Sequence, residues 1–238
     1  MPPTLTSIYI INVKKFTERR IFIESQLSKL NLHAEFIQAW DIEDLSHESI
    51  DTFFSTEQLS KGQMSCAMKH ITALQHISKN TSGLSLVLED DVIFSNDFEQ
   101  GLSNALRESV NFSGNKVIFI GSGGNFYTPK SKRIAGQHLY IGNRGRFADS
   151  YIIDSKVAKL RLEWIDANKV SQPIDNQFET IDKELDIQML WLEDPIIEQG
   201  SKAGLFNSSL EPAPPQWLQK IFFSWEKLKR KYIYQLWK

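Results

Sequence analysis

Residues 84–94, LSLVLEDDVIF, join a short apolar run to three consecutive acids and a second apolar triplet. A short continuous apolar run at 84–88 is typical of a strand that is buried on both faces of a sheet. Adjacent carboxylates repel one another and raise one another's pKa unless a cation lies among them. The stretch therefore predicts a central strand whose carboxyl end carries an acidic cluster.

Strand and helix patterns alternate along the rest of the chain. Apolar and β-branched runs predict strands at 7–12, 35–39, 84–88, 116–120, 148–153 and 185–192. Apolar residues at helical spacing predict helices at 17–30, 64–79, 96–110 and 155–168. We expect a capping box of Asn96 and Glu99 on the third helix, and a cap by Asp154 or Ser155 on the fourth. Such alternation favours an α/β fold with a mostly parallel central sheet, whose ligands bind at the carboxyl ends of the strands.

Composition is that of a soluble globular protein. The 238 residues are 41% hydrophobic and 24% charged, so a sizeable core is expected. A formal net charge of −2 provides no basic field for nucleic acid. Cys66 is the one cysteine, which excludes a disulfide framework. The first residues lack the pattern of a signal peptide, and no apolar run is long enough for a bilayer, so we expect a reducing, cytosolic setting.

The acids Glu89, Asp90 and Asp91 are the sharpest candidate site. Hard oxygen ligands suit Mg²⁺ or Mn²⁺, and a diphosphate would complete the coordination of such an ion. In an extended segment Glu89 and Asp91 point the same way and Asp90 points the opposite way. The alternative is a solvated acidic turn.

A second group follows the first predicted strand. Asn12 ends that strand, where its amide could hold a loop or reach a nucleobase. Arg19 and Arg20 fall in the first turn of the next helix, where an arginine could face phosphate. The alternative is a cluster of solvent-facing charges around Glu18.

Three further residues are ambiguous alone. Cys66 and His70 are spaced i, i+4 on one helix face, which could supply two metal ligands. No second Cys or His pair lies nearby, so packing roles are the stronger interpretation. Asp175, in Pro173-Ile174-Asp175, is predicted to be a loop acid beyond the fourth helix.

The C-terminal segment differs from the rest. Residues 211–215, EPAPP, cannot continue a helix and predict a linker, so we expect a domain at 1–210 and an appendage at 211–238. Residues 216–238 carry six basic residues against one acid, a net charge of +5 in a chain whose total is −2. Their apolar residues recur on one helical face: Trp217, Ile221, Trp225, Leu228, Tyr232 and Leu236. A basic amphipathic helix of this kind suits an anionic bilayer, and the alternative is a helix packed on the domain or on a second subunit.

Taken in order, these pieces resemble glycosyltransferase family 25, which includes bacterial lipooligosaccharide galactosyltransferases. The matching segments are Ile10-Ile11-Asn12 with Arg19-Arg20, 36–41 (FIQAWD), 59–70 (LSKGQMSCAMKH), 88–92 (LEDDV), 148–153 (ADSYII) with Lys156 and Ala158, 173–175 (PID) and 195–199 (PIIEQ). The sequence departs from the family pattern at Ile42, Gln63, Ser65 and Lys69, which leaves the acidic motif intact.

The resemblance implies a GT-A type nucleotide-binding sandwich and inverting transfer of a sugar, commonly from UDP-galactose, to a glycan hydroxyl. It implies that Asp91, with Glu89 or Asp90, holds Mn²⁺ or Mg²⁺. It places substrate-binding or nucleotide-binding roles on Asn12, Arg19, Arg20, Asp41, His70, Glu89 and Asp90. Asp175 matches the later acidic position and is the preferred base, with Glu179, Asp149 and Asp194 as competitors.

The sequence therefore favours a metal-dependent galactosyltransferase that builds a surface glycan such as lipooligosaccharide. Its partners would be a nucleotide sugar, a glycan or lipid-linked acceptor, and the inner membrane face through the tail, with no nucleic acid. One alternative is a Mg²⁺-dependent phosphoryl-transfer enzyme, although that class usually carries an acid after the first strand, where Asn12 stands. The other is an inactive nucleotide-binding or regulatory module.

Overall fold

The computed structural model describes residues 3–55, 58–201, 205, 206, 225 and 229. Its helices are α1 (Thr17–Lys29), α2 (His47–Phe53), α3 (Lys61–Ile77), α4 (Phe98–Glu108), α5 (Ser155–Asn168) and α6 (Ile174–Glu184). Its strands are β1 (Leu5–Ile11), β2 (Glu35–Ile37), β3 (Leu84–Glu89), β4 (Val92–Phe94), β5 (Lys116–Phe119), β6 (Leu139–Ile141), β7 (Ser150–Asp154), β8 (Gln188–Leu192) and β9 (Ile197–Gln199).

Seven strands of the described chain form a central sheet in the order β2-β1-β3-β7-β5-β8-β6. Strand β1 runs parallel to β2 and β3, and β5 runs parallel to β8. Strands β7 and β6 run against their neighbours, so five of the seven strands point the same way. The predicted α/β fold with a mostly parallel sheet is confirmed. Strands β4 and β9 pair separately and antiparallel, beyond the acidic motif.

Two apolar layers cover the sheet because side chains alternate along each strand. Val87 and Tyr151 face a core shared with α3, α5 and α6. Leu86, Leu88 and Ile152 face the opposite core, which includes residues of α1 and α4. The acidic motif thus follows a strand that is buried on both faces, as its apolar run predicted.

The predicted helices and strands are present, with corrected ends. The capping box expected of Asn96 and Glu99 is wrong: α4 begins at Phe98, and its N-cap, Asp97, makes no side-chain cap hydrogen bond. Asp154 caps α5 by accepting a 2.8 Å hydrogen bond from the Val157 N–H. The last long strand begins at Gln188 and not at 185.

The helix α6 was not predicted, and Asp175 lies in its first turn rather than in a loop. Its sequence is mostly polar, and only Ile174, Phe178 and Ile181 mark its buried apolar face. Among the described residues no helix is both long and apolar enough to cross a bilayer. The predicted linker and tail helix lie outside those residues, apart from Trp225 and Lys229.

Candidate functional site

The candidate site lies where β1, β2 and β3 end at the same edge of the sheet. Ile11 is in register with both Ile37 and Glu89, so the residues that follow β1 and β3 are brought side by side. A cavity of about 350 Å³ opens there. Its lining includes Ile11, Val13, Phe16, Arg19, Cys66, Glu89 and Asp90. The site therefore occupies the position that open α/β sheets use for ligands.

Asp90 is held by two donors from the β1–α1 region. The Asn12 Nδ2 donates a 2.8 Å hydrogen bond to Asp90 Oδ2, and the Arg19 Nη1 lies 3.1 Å from Asp90 Oδ1. The Gln38 Nε2 donates to Asn12 Oδ1 at 2.8 Å, so both ends of the buried Asn12 amide are engaged. Burial raises the pKa of Asp90, although the Arg19 charge and these hydrogen bonds oppose the rise. Asn12 thus positions Asp90, and its amide is turned to protein groups rather than to the cavity.

The two adjacent arginines separate. The Arg19 guanidinium lies 4.7 Å from the Phe16 ring centroid and 5.4 Å from that of Phe206, which favours a cation–π contact on both sides. The Arg20 Nε instead donates a 2.8 Å hydrogen bond to Glu24, and its guanidinium covers the Phe36 ring outside the cavity. The structure therefore places Arg19 at the cavity and Arg20 on the outer face of α1.

Glu89 forms the inner end of the site. Its Oε1 lies 4.0 Å from the Cys66 Sγ and 3.9 Å from the His70 Nε2, and its Oε2 accepts a 3.5 Å hydrogen bond from the Gln199 Nε2. Burial, with the charges of nearby Asp91 and Asp175, raises the pKa of Glu89 to about 8. A carboxyl in this setting is protonated near neutrality unless a cation offsets the neighbouring charges.

Asp91 carries the clearest unsatisfied polar atom. Its Oδ2 accepts a 3.2 Å hydrogen bond from the Ser201 N–H, whereas its buried Oδ1 has no hydrogen-bond partner among the described residues. Gly200 packs so tightly here that a Cβ would lie 2.4 Å from the Asp91 carbonyl oxygen. An unpaired carboxylate oxygen two residues from Glu89, whose pKa its charge raises, is a donor of the kind that a hard divalent cation prefers. The residues present therefore fit Mg²⁺ or Mn²⁺.

Asp175 approaches the acidic motif from α6. Its Oδ1 accepts a 2.5 Å hydrogen bond from the Ala148 N–H, and its charge contributes to the raised pKa of Glu89. The other three candidates for the base, Glu179, Asp149 and Asp194, have different surroundings. Glu179 accepts from the Gly145 N–H at 3.0 Å and pairs with Lys183. Asp149 is buried and accepts a 2.7 Å hydrogen bond from Ser150, while Asp194 is exposed beyond β8.

His70 supports the site from behind. The ring is fully buried, and its Nδ1 lies 3.2 Å from the Tyr151 hydroxyl. Burial lowers the pKa of His70 to about 4, so the imidazole is neutral at physiological pH. Its burial removes it from the cavity surface, and the substrate-binding role that the sequence resemblance implied stays a prediction.

Asp41 is used to fix a wall of the cavity. The Lys69 Nζ lies 2.7 Å from Asp41 Oδ1 and also donates to the Ala39 carbonyl at 2.7 Å. The Ser65 hydroxyl donates to the carbonyl of Trp40, which has a positive φ of 68°. Helix α3 therefore holds the turn after β2 through two of its polar residues. In the sequence, Lys69 and Ser65 are visible only as departures from a family pattern, so this role was not predicted.

The model of the family "Glycosyltransferase family 25 (LPS biosynthesis protein)" matches residues 5–177. "Putative glycosyltransferase R655" of Acanthamoeba polyphaga mimivirus is 38% identical over 106 residues, which are 42% of this chain and 33% of that protein. A "Glycosyltransferase 25 family member" of Aedes aegypti is 22% identical over 170 residues, or 67% of this chain and 28% of that one. The chain thus spans a third or less of the length of these curated relatives. A structure of Drosophila β1,4-galactosyltransferase 7 with manganese, UDP-Gal and xylobiose aligns with a TM-score of 0.46 at 9% identity, covering 91% of this chain and 79% of that chain.

Proposed function

The chain belongs to glycosyltransferase family 25, and we propose that it transfers a sugar from a nucleotide diphosphate donor to a glycan hydroxyl with inversion at the anomeric carbon. One observation carries the proposal beyond family membership. Among the residues that the structure describes, the buried Asp91 Oδ1 has no hydrogen-bond partner, and the preceding Glu89 and Asp90 line a cavity that contains Arg19. A buried anionic group without a counterion is costly, so this cluster is suited to a cation and the diphosphate it would accompany.

The cavity offers separate surfaces for the two parts of such a donor. Ile11, Val13 and Phe16 provide an apolar surface for a nucleobase. The Arg19 guanidinium provides positive charge for a phosphate, and its planar fork suits phosphate oxygens. We place Mn²⁺ or Mg²⁺ at Asp91 with Glu89, where the ion would supply charge that stabilises the departing diphosphate.

Asp175 is our candidate for the base. Inverting transfer requires a carboxylate that takes the proton of the acceptor hydroxyl as that oxygen attacks the anomeric carbon. Asp175 lies on α6, an element separate from the donor cavity, and is close enough for its charge to raise the pKa of Glu89.

We further propose UDP-galactose as donor and a surface glycan such as lipooligosaccharide as acceptor. The basic tail at 216–238 would hold the enzyme on the cytoplasmic face of an anionic membrane, where a lipid-linked acceptor is within reach. The reaction class depends neither on the identity of the donor nor on that of the acceptor, and each is tested separately.

The decisive experiment is a panel of nucleotide sugars incubated with glycan acceptors, with and without Mn²⁺, and read by nucleoside diphosphate release. We expect release from one donor, stimulated by Mn²⁺ and dependent on acceptor. Binding of UDP without turnover of any nucleotide sugar would instead identify an inactive nucleotide-binding module. Release of inorganic phosphate from phosphate esters would favour the phosphoryl-transfer alternative.

A further inference from the structure

A second, chemically different group of metal-binding side chains shares Glu89 with the acidic motif. The Cys66 Sγ, the His70 Nε2 and a Glu89 carboxylate oxygen all lie within 4.8 Å of one another. Cys66 and His70 occupy successive turns of α3, and Glu89 ends β3, whose Val87 shares a core with α3. Helix spacing and sheet register therefore bring a thiol, an imidazole and a carboxylate together from distant parts of the chain.

The His70 Nε2 is the atom that points to a ligand. It is buried, accepts or donates no hydrogen bond among the described residues, and faces Glu89 at 3.9 Å. The other ring nitrogen meets the Tyr151 hydroxyl at 3.2 Å, which fixes the ring orientation as outer partners do at zinc sites. An imidazole held in this way directs a free nitrogen at the two remaining groups.

The geometry suits Zn²⁺ better than the ion proposed for Asp91. Zinc bonds of about 2.0–2.3 Å place tetrahedral ligand atoms roughly 3.5 Å apart, which needs only a small contraction here. Thiolate and imidazole select Zn²⁺, whereas Mg²⁺ and Mn²⁺ prefer oxygen. Cys66 and Glu89 both line the cavity, so an ion can enter and a fourth position stays open to solvent.

We propose that Cys66, His70 and Glu89 bind one Zn²⁺ ion, with the fourth position facing the cavity. The Cys66 thiol and the protonated Glu89 carboxyl each release a proton to solvent as the thiolate and the carboxylate bind the ion. If the proposed transfer function is correct, bound Zn²⁺ also withdraws Glu89 from the acidic cluster and inhibits Mn²⁺-supported turnover. The binding itself does not depend on that function.

The test uses the full chain, freed of metal and titrated with Co²⁺ and then Zn²⁺. Because Cys66 is the one cysteine of the sequence, a thiolate-to-Co²⁺ charge-transfer band reports this site alone. We expect the band in the wild type, its displacement by one equivalent of Zn²⁺, and its loss in Cys66→Ser. His70→Gln should weaken Zn²⁺ binding at least tenfold. His76 belongs to the same helix and its side chain is 36% exposed, so His76→Gln should leave Zn²⁺ binding unchanged.

A second measurement avoids variants that fail to fold. Zn²⁺ should slow alkylation of Cys66 in the wild-type chain at least tenfold, and Mg²⁺ at the same concentration should not. Absence of the Co²⁺ band in the wild type, or equal alkylation with and without Zn²⁺, would overturn the site. If the wild-type chain shows the Co²⁺ band but turns over no nucleotide sugar, that result counts only against the proposed function.

Discussion

The Arg19 Nη1 lies 3.1 Å from Asp90 Oδ1, with both side chains almost fully buried at the cavity. The adjacent Arg20 makes its ion pair with Glu24, where both side chains are more than 40% exposed. Two neighbouring residues of the same type thus occupy opposite environments. This difference supplies a matched pair for testing the donor site.

We expect Arg19→Ala to weaken binding of the nucleotide diphosphate by about 10–100-fold, since a hydrogen bond to a charged group contributes ~1.5–3 kcal/mol. Arg20→Ala should change affinity less than twofold, because its ion pair with Glu24 is exposed and it is linked to the site only through a long, 3.3 Å hydrogen bond to Gln38. Calorimetric titration of each variant with UDP measures both effects. Equal losses in the two variants would place the nucleotide elsewhere.

Asp91→Asn should abolish divalent-cation stimulation of sugar transfer while the fold is retained. The substitution keeps the size of the side chain and its acceptor for the Ser201 N–H but removes the charge that a cation requires. Asp97→Asn is the control, because Asp97 is an exposed acid on the far side of β4 and makes no side-chain cap hydrogen bond with the described residues. Turnover assays across a Mn²⁺ series, with circular dichroism, provide the comparison. Near wild-type stimulation in Asp91→Asn would remove Asp91 from the metal site.

The acidic motif could be predicted because an apolar run and the residues after it are adjacent in sequence. The environment of each acid could not be predicted, because it depends on residues that are distant in the sequence. Asp90 depends on Arg19, 71 residues away, and Asp91 depends on Ser201, 110 residues away. The burial of Lys69 was equally hidden, since a lysine inside an apolar helix face is stable only with a partner such as Asp41, which another element supplies.

Asp175→Asn should lower turnover by about 10²–10⁴-fold, the range typical of a lost general base, with little change in UDP affinity. The asparagine retains an acceptor for the Ala148 N–H, so the first turn of α6 should stay in place. Glu179→Gln, which alters a neighbouring acid with structural contacts, should reduce turnover far less. Steady-state kinetics of both variants decide between the acids. A loss under about threefold in Asp175→Asn would reassign the base.

Burial of His70 predicts a pH dependence of stability. Its pKa is about 4 in the folded chain against an ordinary value of 6.5, so the unfolded chain binds more protons between these values. Stability is therefore retained above pH 6.5 and declines as the pH falls toward 4. The free energy of unfolding should fall by about 2 kcal/mol more between pH 7 and pH 5 in the wild type than in His70→Gln. Urea titrations in EDTA test this, and parallel pH profiles for the two proteins would contradict it.

Attachment to anionic membranes is the prediction for residues 216–238, whose net charge is +5. Basic residues near an anionic surface contribute ~1 kcal/mol each, and salt screens that contribution. The full chain should therefore bind vesicles that contain phosphatidylglycerol, and it should dissociate at least partly as salt rises. A chain that ends at Pro215 should lose this binding yet transfer sugar to a soluble acceptor, whereas vesicles of phosphatidylcholine alone should bind neither protein. If the shortened chain unfolds, or if the intact chain does not bind anionic vesicles, the tail packs on protein and the membrane proposal fails.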